Sequence, residues 1–149
     1  MAVPSQEAAA SLFDSLLVSL LIGNGDAHLK NYGVLYAHPH ADKRLAPVYD
    51  VLNTTAYIEG DTPALKMFAG GQKQWPSLSD LRKLGDEYGV SNVEERFETA
   101  NDAIMGALTD RPFAEDTKFL SKAILEHRAM LEGGVQEIRD VRPVTRLSP

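Results

Sequence analysis

The chain has 149 residues, 44% of them hydrophobic, enough for one ordinary domain with its own core, since domains cluster near roughly 100 to 150 residues. Its 15 Lys and Arg against 21 Asp and Glu leave a net charge of -6, which removes any general electrostatic basis for binding nucleic acid or an anionic membrane. Cysteine is absent, so disulfides, thiolate metal sites and a cysteine nucleophile are excluded, in keeping with a cytoplasmic protein.

Leu12, Leu16, Leu17, Leu20 and Leu21 recur at helical spacing, with Phe13 and Ile22 widening the face, and predict a buried helix over 5–22. The run is far shorter than the roughly 18 to 20 residues of a membrane span, and Asp14 and two serines interrupt it. It also lacks the basic flank of a signal peptide. Gly23, Asn24 and Gly25 end the helix, with Asn24 read as a turn or cap residue, and leave 23–31 as a loop. "YGVLYA" and "LAPVYDV" predict a hairpin, and Pro39 in its "HPHADKR" turn rules out a two-residue connection. That hairpin returns Asp50 towards Asn31. His38 and His40 flank the proline and read as a surface turn rather than a metal site.

"ALKMFAGGQKQWP" predicts an irregular connection, broken at Gly70 and Gly71. Ser79 is expected to cap a helix that runs to Tyr88 and ends at Gly89. Ser91 and Glu94 have capping-box spacing and open a helix with Val93, Phe97, Ala100, Ile104 and Leu108 on one face. A last helix, 114–131, is expected to bury Phe119, Leu120, Ile124, Met130 and Leu131 and to stop at Gly133 and Gly134. The fold class is therefore mainly α with one short hairpin, a domain over 1–132 and a tail over 133–149.

"GNGDAHLKN" places an acid (Asp26), an imidazole (His28), a cation (Lys30) and a carboxamide (Asn31) within six positions, and Asp50 follows beyond the hairpin. Phosphoryl transfer needs a group that orients or deprotonates the attacking hydroxyl and oxygen ligands that hold Mg²⁺ against the phosphates. An Asp, then an Asn five residues on, then an Asp after a hairpin is the order of the protein-kinase catalytic and metal-binding loops. Taken alone, such a match also describes ordinary caps and turns.

The longer string "LIGNGDAHLKN", a hairpin, then "LAPVYDVL" closely resembles the HipA family of serine/threonine protein kinases. The resemblance implies a kinase-like C-terminal helical lobe with Asp26 as catalytic acid–base residue and Asn31 and Asp50 as ligands of Mg²⁺ and hence of ATP. His28 resembles the histidine of the "DRH" motif in lipid-kinase-like enzymes, and is read either as acting near the transferred phosphate or as bracing the loop. Lys30 either neutralises the γ-phosphate or is a solvated lysine. Lys66, in "ALKM", resembles a family segment whose task is taken as chain positioning. The resemblance further implies a toxin of a toxin–antitoxin pair, a HipB-like antitoxin as partner, and a protein substrate such as a translation factor. No glycine-rich phosphate loop with its lysine is found, so the chain is expected to be the C-terminal part of such a kinase, as a fragment, a truncated product or one component of a split system, inactive without a nucleotide-binding N-terminal lobe as partner; the alternative is a non-catalytic fragment acting as a protein-binding module.

Overall fold

The computed structural model describes residues 5–38, 41, 43–67, 73–111 and 113–133. Its centre is α1 (Gln6–Leu21), which Ser5 caps by accepting the Ala8 N–H at 3.2 Å. Around it come the hairpin strands β1 (Val34–Leu35) and β2 (Arg44–Leu45), then α2 (Leu78–Tyr88), α3 (Val93–Asp110) and α4 (Lys118–Gly133). α1 packs on α3, α4 and β2, and α2 packs on α3. Phe13, Leu17, Leu20 and Leu21 of α1 meet Leu81, Val93, Phe97 and Leu131 in one core. Each fully buried side chain of this size contributes about 1.5 to 3 kcal/mol. The buried stripe is narrower than the leucine spacing suggests, because Leu12 is left 41% exposed.

The hairpin is shorter than expected. Among the described residues only Val34↔Leu45 and Leu35↔Arg44 pair, antiparallel, with Ala46 N–H donating to the Gly33 C=O at 2.8 Å. Pro47 follows at once and has no N–H to continue the ladder. Val34 and Leu35 of β1 are both exposed, and Leu45 of β2, the strand that packs on α1, is half-buried. Within the expected turn, Pro39, His40 and Asp42 lie outside the described residues, as do Gly70 and Gly71 of the later connection.

Three helix starts differ from expectation, each for a local reason. α2 is capped by Ser77 instead of Ser79: Ser77 Oγ accepts the Asp80 N–H at 3.2 Å, and Asp80 Oδ2 accepts the Ser77 N–H at 3.0 Å. Those Ser77 hydrogen bonds hold the Asp80 carboxyl below the usual carboxylate range. The expected box of Ser91 and Glu94 does not form, because Asn92 takes the cap position in the left-handed region (φ 58), which asparagine tolerates, and Glu94 pairs with Arg82 of α2. α4 begins at Lys118, four residues later than expected, behind a 3₁₀ turn over Glu115–Thr117. On α4, Ile124 and Leu131 are buried as expected, while Phe119 is exposed and Leu120 and Met130 are half-buried. Gly133 is the last helical residue described, and Gly134 and the tail lie outside the described residues.

Candidate functional site

Helix α1 stops where Gly23 turns into the left-handed region at φ 74. Its C=O accepts the Thr54 N–H at 3.1 Å and the Thr55 N–H at 3.2 Å, so the loop is tied at its first residue to the segment after Asp50. The Gly25 N–H donates to Thr54 Oγ1 at 2.6 Å. Thr54 Oγ1 in turn lies 2.5 Å from Asp61 Oδ2 and 3.2 Å from the Gly23 C=O. A hydroxyl has one proton, and the nearer, charged acceptor takes it. A Cβ on Gly25 would overlap the Asp61 carboxylate, which leaves no room there for any other residue.

Asp26 follows. Its N–H is held by Asn24 Oδ1 at 3.2 Å and its C=O accepts the His28 N–H at 2.8 Å, so the backbone is fixed on both sides. Its carboxylate is exposed and, among the described residues, has no hydrogen bond or ion pair. Asn31 sits on a 3₁₀ turn over Leu29–Asn31 and is only 8% exposed. Its Nδ2 donates to Asp50 Oδ2 at 2.6 Å, and its Oδ1 is buried without a partner. Asp50 is itself left-handed, with φ 58, a conformation that costs a non-glycine residue on the order of 1 kcal/mol or more. The Tyr49 hydroxyl donates to the Lys30 C=O, a further tie between the two loops.

Of the residues singled out in the sequence, Asn31 and Asp50 are thus brought into direct contact from opposite ends of the hairpin. His28 is half-buried, with Nδ1 buried and unpartnered, so no ring hydrogen bond to the described residues braces the loop. The Lys30 and Lys66 side chains are exposed. Asn31 Oδ1 and the Asp50 carboxylate fit a hard cation: both are oxygens, and the orphaned amide oxygen is the atom a ligand would satisfy. No group of three or more His, Asp or Glu clusters as a cation site among the described residues. One carboxylate with one carboxamide suits Mg²⁺, which keeps waters and completes its shell with substrate phosphates.

A further layer of side chains lies beneath the loop. Trp75 Nε1 donates to the Asp61 C=O at 2.9 Å, and the Trp75 ring meets His127 of α4 edge to face at 4.1 Å. Thr54, Asp61 and His127 carry no motif, and nothing local in the sequence marks them. His127 is 4% exposed, and burial pushes its imidazole down to about 4 from 6.5, against the opposing effects of a Leu20 backbone hydrogen bond and the Asp61 charge. The folded chain therefore keeps His127 neutral where the unfolded chain takes up a proton. Stability is whole above pH 6.5, declines as the pH falls, and has lost this contribution, roughly 3 kcal/mol, once the pH passes about 4. A thermal-unfolding series over that range should show the decline in the wild type and a flatter profile in His127→Gln; equal slopes would refute it.

Residues 1–110 match the family of HipA-like C-terminal domains, and the chain belongs to that family. The match covers α1, both loops, the hairpin, α2 and α3. Among curated proteins the chain is 37% identical over 99 residues to "Putative kinase Y4dM" of Sinorhizobium fredii, covering 60% of this chain and 23% of that protein. It is 44% identical over 46 residues to "Putative kinase Y4mE" of the same organism, covering 31% of this chain and 10% of that protein. The chain thus spans about a quarter or less of the length of these relatives. Among the described residues no helix is long and apolar enough to cross a membrane.

Proposed function

We propose that this chain is the C-terminal catalytic lobe of a HipA-like serine/threonine kinase and works with an N-terminal nucleotide-binding lobe. The observation that carries the reading is the Asn31–Asp50 pair, joined at 2.6 Å with Asn31 Oδ1 unsatisfied, on the same loop as an exposed and unengaged Asp26 carboxylate. Asn31 and Asp50 would hold Mg²⁺, whose charge, when bound, neutralises the phosphate oxygens. Asp26 orients the Ser or Thr hydroxyl of a protein substrate and accepts its proton. The hydroxyl oxygen bonds to the γ-phosphorus, the bond from that phosphorus to the β–γ bridging oxygen breaks, and ADP leaves. Lys30, exposed beside Asn31, is placed to meet phosphate charge as a mobile cation.

The surface around the site favours a covering lobe. Leu29, Val34, Tyr36, Val48 and Leu52 are all at least half exposed on the loop and hairpin. A covering lobe would bury that apolar area. In the finer reading, the kinase is a cytoplasmic toxin restrained by a HipB-like antitoxin.

Calorimetry and radiolabel transfer test the proposal together. The isolated chain should bind Mg-ATP weakly or undetectably. Combined with a nucleotide-binding lobe of a HipA-like kinase, it should transfer phosphate to protein Ser or Thr, and Asp50→Asn should reduce that transfer at least about 100-fold. Tight Mg-ATP binding by the chain alone would refute the need for a second lobe, and undiminished transfer by Asp50→Asn would refute the cation assignment.

A further inference from the structure

Asn24 is 2% exposed and sits two residues before Asp26. Beyond turning the chain, its side chain joins two loops: Oδ1 accepts the Asp26 N–H at 3.2 Å, and Nδ2 donates to the Asp50 C=O at 3.2 Å. An N–H only donates and a C=O only accepts, so the arrangement needs one acceptor and one donor on the same short side chain. Asparagine supplies that pair. Aspartate would set a carboxylate oxygen against the Asp50 carbonyl, alanine has no polar atom, and glutamine carries the pair one methylene too far.

The backbone of Asp50 gives the second half of the argument. A non-glycine residue at φ 58 persists where its surroundings over-determine it. Here Asn24 holds the Asp50 carbonyl and Asn31 holds its carboxylate, so the strained residue is pinned at both ends. Asn24 is in turn anchored by its own N–H, which donates to the C=O of buried Ser19 at the end of α1 at 2.8 Å.

We infer that Asn24 is a positioning residue, a clamp that sets the Asp26 loop against the Asp50 loop through one carboxamide. This rests on the roles proposed above for Asp26 and Asp50. Through the clamp, a cation held at Asp50 acts on the backbone that carries Asp26.

Amide exchange on the chain without metal tests the clamp itself. In Asn24→Ala and in the similarly sized but apolar Asn24→Leu, which both remove the acceptor, the Asp26 amide should exchange about ten-fold faster, while the α1 core amides of Leu17 and Leu20 stay as protected as in the wild type. Unchanged exchange at Asp26 overturns the clamp. If neither variant unfolds cooperatively, the wild type decides: the Asn24 Nδ2 protons should exchange more slowly than those of exposed Gln74, and equal rates overturn it. Mn²⁺ line broadening then tests the coupling. In the wild type the Asp26 and Asp50 amides should broaden with one midpoint, whereas in Asn24→Leu the Asp26 broadening should fall relative to that of Asp50. A residue that merely supports the fold would leave that ratio unmoved, and an unmoved ratio overturns the inference. Absence of broadening at both loops of the wild type would refute the cation assignment instead, and the exchange rates alone would then decide the clamp.

Discussion

Under the proposed function, replacing Asp26 by Asn in an assembly of this chain with a nucleotide-binding lobe is expected to lower phosphoryl transfer about a thousand-fold, the contribution of a positioned acid–base group. Thermal unfolding of the chain should stay within the scatter of the measurement. Both halves follow from the same geometry. The Asp26 side chain is exposed and makes no hydrogen bond to the described residues, so the fold loses nothing with it, while its backbone is held by Asn24 Oδ1 and by the His28 N–H. A buried structural carboxylate would behave the opposite way, with stability falling and transfer following it. Retained transfer in Asp26→Asn would mean that the acid–base group lies elsewhere, and loss of transfer together with loss of fold would mean that Asp26 is structural.

Gly25→Ala is expected to destabilise the chain by about 2 to 3 kcal/mol, the cost of displacing a held polar group together with its hydrogen bonds. The new methyl would occupy the space of the Asp61 carboxylate. That carboxylate is not free to swing aside, because Thr54 Oγ1 donates to one oxygen at 2.5 Å and the Thr62 N–H to the other at 2.9 Å. Displacing it also loosens Thr54, which receives the Gly25 N–H, and so unfastens the loop from below. Gly106 provides the contrast. It lies inside α3, a Cβ there meets nothing within 4 Å, and Gly106→Ala should raise stability by about 0.5 to 1 kcal/mol through helix propensity alone. Chemical denaturation of the two variants reads the signs directly. A Gly25→Ala chain as stable as the wild type would show that Asp61 does not hold the loop.

The deeper tier of the site explains why it was only partly legible in the sequence. Asp26, Asn31 and Asp50 stand out because the chemistry proposed for them requires particular residue types at particular intervals, and a string such as "GDAHLKN" followed by "PVYD" exposes that requirement. Thr54, Asp61, Trp75 and His127 stand out by no such pattern, since each serves through a contact with a residue distant in the chain. Helix starts went astray for a local reason. Ser77 and Ser79 are equally good cap residues by type, but Asp80 closes a capping box with Ser77, and Asn92 takes the cap position beside Ser91.

The chain's own pattern was sufficient for the mainly helical class, the burial of α1, the loop after it and the identity of the acids and carboxamide that the loop presents. Those properties follow from short-range periodicity and from residue chemistry, both carried by neighbours in sequence. The tertiary structure alone decided that Asn31 and Asp50 touch, that Asn24 bridges Asp26 to Asp50, and that Asp61 lies under Gly25. These depend on hydrogen bonds across the hairpin and between loops, whose geometry is set by the packing of α1 against its neighbours rather than by any local preference of the chain.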